Sequence, residues 1–140
     1  LGALGRRDEA LVLMREQYAR RLVMHGAANE RTLLVAINFA ALLVRSKLFA
    51  EATRFLRDQG KIANRELGPD HRLALFLAQN LSAGLQDNPD ATRADLLEAE
   101  AIAEEVTKRR RRVLGATHPD TRFSERSLGR VREKLARTEV

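Results

Sequence analysis

The sequence predicts an all-α solenoid of about six helices stacked as antiparallel pairs, and three observations carry that reading. Similar glycine-centred turns recur at Gly26, Gly68 and Gly115, with spacings of 42 and 47 residues. A Glu-Ala pair keeps the same beat at Glu9-Ala10, Glu51-Ala52 and Glu98-Ala99. Between these signals the apolar residues fall at helical spacing, and no stretch alternates with the period of a strand. Self-similarity at a fixed period of roughly 20–50 residues marks stacked units, each too small to bury its apolar face alone.

The elements follow in order. Arg6 to Met24 reads as a helix with a mixed surface, preceded by Leu1 to Gly5 as the end of an earlier helix. Arg31 to Arg45 carries apolar residues on every face, as a helix buried between neighbours does. Phe49 to Glu66 mixes charged and apolar residues and so forms its more solvated partner. The pair repeats as Arg72 to Gln86 and Arg93 to Leu114, and a last helix runs from Pro119 to Arg137. The glycines follow long helical patterns, where a left-handed residue closes the last turn. Pro119 can open a helix because its missing N–H would be unpaired there. The chain is one repeat segment over 1–140: a half repeat at 1–26, a repeat at 27–68, a repeat at 69–115 and a half repeat at 116–140. The five extra residues of the second spacing are expected in an inserted loop near 87–92, at Asp87-Asn88-Pro89-Asp90.

Composition narrows the function. The chain has no cysteine, which excludes thiolate metal sites and disulfides and points to the cytoplasm. Its longest apolar run, Leu33 to Val44, is too short to cross a bilayer, so no membrane partner is expected. The net charge is +6. From Leu1 to Glu105 there are 14 basic and 15 acidic residues; from Val106 to Val140 there are 11 and 4, so the excess sits in the last quarter. That favours an acidic partner or nucleic acid there. No phosphate-cradling glycine loop, nucleophile elbow or zinc-ligand spacing occurs, so neither catalysis, a cofactor nor a metal is expected.

Leu114-Gly115-Ala116-Thr117-His118-Pro119-Asp120-Thr121, Leu67 to His71, and Asn38-Phe39-Ala40 with Asn80-Leu81-Ser82 resemble the 42-residue tetratricopeptide repeat of kinesin light chains and related proteins. The likeness covers essentially the entire chain. It departs from the family pattern at His25 to Thr32, where Asn29-Glu30 stands for His-Pro, and at Ser127-Leu128-Gly129, where Asn-Leu-Ala is expected. The resemblance implies a non-catalytic protein-interaction scaffold whose first helices line a concave groove for a peptide or helix of a partner.

The groove residues can be argued from helical geometry as well. Asn38, Ala41 and Arg45 share one stripe, as do Asn80, Ala83 and Asp87, and Ser127, Arg130 and Lys134. An amide offers a donor and an acceptor, so it can pair with a partner's backbone or instead bond a neighbouring helix. Arg126, Arg130 and Lys134 would favour carboxylates or phosphates, or would keep a terminal helix solvated. The candidate partner-binding set is Asn38, Ala41, Arg45, Gln79, Asn80, Ala83, Arg126, Arg130 and Lys134. Lys108 to Arg112 has the composition of a nucleic-acid patch, but four consecutive arginines on a helix point in different directions. Glu104–Lys108 and Glu105–Arg109 are expected as i, i+4 pairs. The partner is therefore expected to be a protein or peptide, an acidic one suiting the basic quarter. A nucleic-acid-binding helical repeat is the disfavoured alternative.

Overall fold

The computed structural model describes residues 3–138, which form six helices and, among those residues, no strand. They are α1 (Ala3–His25), α2 (Glu30–Arg45), α3 (Phe49–Leu67), α4 (Arg72–Asp87), α5 (Arg93–Leu114) and α6 (Pro119–Thr138). Each packs on the next, and the first helices of successive repeats also meet, α2 on α4 and α4 on α6. This is an all-α, tetratricopeptide-like solenoid. Ala3 to Gly5 belong to α1 itself, correcting the expectation of a separate preceding stub; Leu1 and Gly2 lie outside the described residues.

The repeated motifs acquire causes. Asn29, His71 and His118 are equivalent positions, 42 and 47 residues apart, and each caps the helix that follows. Asn29 Oδ1 accepts from the Arg31 amide at 2.9 Å, His71 Nδ1 from Leu73 at 3.1 Å and His118 Nδ1 from Asp120 at 3.0 Å. The departure at Asn29 thus keeps the chemistry, satisfying one of the amides orphaned at a helix start. Gly68 and Gly115 have φ/ψ of 92/153° and 93/158°, a mirror-extended region open essentially to glycine alone, rather than the left-handed helical one expected.

The Glu-Ala beat joins two levels of packing. Ala52 and Ala99 are fully buried, and the Ser82 hydroxyl donates to the Ala99 carbonyl at 2.8 Å. The glutamates reach back to the preceding second helix: Glu51 pairs with Arg15 at 2.7 Å and Glu98 with Arg57. Long side chains thus span the gaps between α1, α3 and α5, while the backbones of α2, α4 and α6 approach more closely. The inner wall of the stack is therefore the row of first helices. The core runs as successive clusters along it, Leu33, Leu56, Leu73 and Leu77 in one, and Leu85, Leu96, Leu128 and Val131 in the next.

The five-residue excess divides. The loop lengthens from 46–48 to 88–92, and α5 starts about one turn earlier before Glu98 than α3 does before Glu51. A capping box between Thr92 and Asp95 holds that new start, and Asn88 Oδ1 accepts from the Asp90 amide within the loop.

Candidate partner-binding site

On α2 and α4 burial leaves one face towards solvent. On α2 it comprises Leu34, Asn38, Ala41 and Arg45; on α4, Phe76, Asn80, Ala83 and Asp87. All are exposed or half-buried, while the other faces are closed by α1, α3 and α5 or by the neighbouring first helix. The equivalent residues of α6 are Phe123, Ser127, Arg130 and Lys134. Side by side these stripes make four rows: apolar Leu34, Phe76 and Phe123; polar Asn38, Asn80 and Ser127; Ala41 and Ala83 with Arg130; and charged Arg45, Asp87 and Lys134.

The members differ in what remains available. Asn38 is exposed and its amide makes no hydrogen bond among the described residues. Asn80 is half-buried and donates through Nδ2 to the Phe76 carbonyl at 2.9 Å, which leaves Oδ1 as an acceptor. Arg45, Arg126 and Arg130 are exposed and form no ion pair among the described residues. Lys134 is engaged: its ammonium donates to the Gln86 carbonyl at 2.7 Å and lies 3.9 Å from Asp87, fastening α6 to the end of α4. Ser127 is fully buried and receives the Gln86 amide at 3.2 Å.

Two of the sequence-derived candidates lie one flank away. Gln79 is 3% exposed, and its Oε1 accepts from the Ser124 hydroxyl at 2.8 Å. It joins α4 to α6 and offers nothing to a partner, which corrects its place in the set. Arg126 is its equivalent on α6 and lies on the matching flank, exposed.

The basic run is engaged within the fold. Arg109 and Arg112 both reach Asp70 at 2.9 Å, and Arg111 pairs with Glu125 at 2.6 Å. Arg109 first, and Arg112 with it, hold the Asp70 carboxyl below its ordinary range. Glu105–Arg109 forms at 2.9 Å, whereas Glu104 turns to Arg132 at 3.6 Å instead of Lys108. Arg110 departs from the expectation of a solvated run: it is 3% exposed and donates to Ser124 Oγ at 2.7 Å and to the Asp120 carbonyl at 3.2 Å. Its guanidinium lies 5.3 Å from the Phe76 ring centroid, beside a cavity of 160 Å³. Burial pulls its proton affinity below the ordinary arginine value, with the Asp120 carboxylate opposing.

The apolar row Leu34, Phe76 and Phe123 lies outside the polar and charged set that the sequence singles out, although its spacing is again 42 and 47. Leu34 and Phe123 are 43% and 45% exposed, and Phe76 between them is half-buried. No such signal marks Arg110, whose burial depends on α6 closing over α5.

Stacked helical hairpins with one solvent-facing stripe on each of α2 and α4 define a helical-repeat protein. The family model of the tetratricopeptide repeat matches residues 91–120, from the α4–α5 loop through α5 to the opening of α6. No curated protein matches the chain. Tetratricopeptide repeats generally mediate protein–protein interaction, and the chain is in that general sense an interaction scaffold. Among the described residues no helix is long and apolar enough to cross a membrane, and no cluster of three acidic or histidine side chains is placed to hold a metal ion.

Proposed function

We propose that the inner wall of α2, α4 and α6 binds an extended, acidic segment of a partner polypeptide, and that the chain is a non-catalytic cytoplasmic scaffold of the kinesin light chain-like type. The observation that carries this reading is the register of the four rows. An apolar row seats large side chains of the partner at one edge. The Asn38 amide and Asn80 Oδ1 pair with its backbone irrespective of sequence. Arg45 and Arg130, without an ion pair among the described residues, attract its carboxylates, with a guanidinium able to bind them in bidentate fashion.

The nucleic-acid alternative rests on the positive excess of the last quarter; we favour a polypeptide because, within the basic run of that quarter, three arginines are paired with acids and the fourth is buried. The deciding experiment is calorimetry with acidic segments selected from a peptide array, comparing the wild type with the double variant Asn38→Ala, Asn80→Ala. Weaker binding at unchanged helical content supports the site. Unaltered binding overturns it.

A further inference from the structure

Two clefts lie between successive second helices, one between α1 and α3 and the other between α3 and α5, and their fillings differ. In the first, the Tyr18 ring of α1 meets Phe55 edge to face, with centroids 5.2 Å apart and planes at 84°. Gln59 of α3 donates to the Tyr18 hydroxyl at 2.7 Å. An aromatic ring and a polar anchor for its tip thus close that cleft from within.

One repeat further on, Gly60 stands where Tyr18 stood, Ile102 where Phe55 stood and Val106 where Gln59 stood. The ring is absent and its walls are aliphatic. A Cβ added at Gly60 would meet nothing within 4 Å. Between α3 and α5 a cavity of 350 Å³ remains, floored by Leu75 and Ala78 of α4, walled by Ile102 and Val106, with Asn64 and the Glu105–Arg109 pair at its mouth. It is at the small end of ligand pockets, which run from about 300 to 1,000 Å³. Ala78 lies on the side of α4 opposite Asn80's stripe, so this cavity is separate from the inner wall.

We infer that this cavity receives an aromatic side chain of a partner polypeptide, supplied in trans where Tyr18 serves the first cleft in cis. A planar ring fits the aliphatic walls, and its hydroxyl or indole N–H meets the Asn64 amide or the Glu105 carboxylate at the rim.

The test is NMR titration of the full chain with N-acetyl-tyrosinamide and with p-cresol, followed at the amides of Ala78, Ile102 and Val106. Saturable shifts at these amides are expected with both probes, and they should persist in the Asn38→Ala, Asn80→Ala variant, which separates this site from the inner wall. Gly60→Tyr restores the missing ring, so it should abolish the shifts while melting at or above the wild-type temperature. If that variant fails to fold, Ala78→Leu, which fills the floor of the cavity, takes its place, with weakened shifts expected at Ile102 and Val106. Absence of shifts in the wild type, or undiminished shifts in the folded filled-cleft variant, overturns the inference.

Discussion

His118→Ala isolates one bond on which the repeat turn depends. His118 Nδ1 accepts the Asp120 amide at 3.0 Å in the first turn of α6, next to Pro119, which contributes no N–H of its own. Alanine leaves the Asp120 amide without an acceptor in a half-buried turn. Losing an N-cap acceptor costs about 1 kcal/mol, within a range of roughly 0.5–2. For a chain of this length that corresponds to a fall of about 3–5 °C in melting temperature. Thermal melts by far-UV circular dichroism measure it. His118→Asn is the informative companion, because Asn29 already caps α2 in the equivalent place through a 2.9 Å bond. It should retain most of the stability that alanine loses. A melting temperature unchanged in His118→Ala, or an equal fall in His118→Asn, would refute the capping account.

Other substitutions probe the stack and the wall. Gly60→Ala removes a helix-interior glycine whose surroundings are open, and should add about 0.5–1 kcal/mol in denaturant melts. Gly84→Val should instead cost about 1–3 kcal/mol, since a Cβ there already lies 3.3 Å from the Thr53 methyl. Arg57 beside Glu98, and Arg15 beside Glu51, hold those carboxyls below their ordinary range. With folded values depressed, this stabilisation is complete above the unfolded value of about 4.3 and is lost as pH falls through the folded values. Arg57→Met should therefore flatten the acid side of the stability–pH curve. At neutral pH it should cost less than about 1 kcal/mol, because both partners are more than a third exposed. Arg45→Glu combined with Arg130→Glu should weaken an acidic peptide about tenfold, roughly 1.4 kcal/mol, by fluorescence anisotropy at low salt.

Helix boundaries were readable in the sequence because local chemistry sets them: glycine, Asn or His caps, and Pro119 fall at the observed ends within a few residues. The division of the five-residue excess was not readable, since Thr92 and Asp95 announce a helix start only once their reciprocal hydrogen bonds are seen. For the site, the inner stripe followed from helical spacing, and Asn38, Ala41, Arg45, Asn80, Ala83 and Arg130 do share one side of the stack. Gln79 is adjacent to Asn80 in sequence but a hundred degrees round the helix, where α6 covers it. Lys134 and Arg110 are long side chains whose destinations, the Gln86 carbonyl and Ser124, lie on other elements. No local pattern encodes such choices; only the packed neighbours do.

Chemical-shift mapping of a bound acidic peptide on the isotopically labelled chain tests the interaction surface most directly. Perturbations should centre on Leu34, Asn38, Phe76, Asn80, Phe123 and Arg130, with the Asn38 and Asn80 side-chain amides among the strongest. Shifts confined to α1, α3 and α5, with those amides unmoved, would contradict the account.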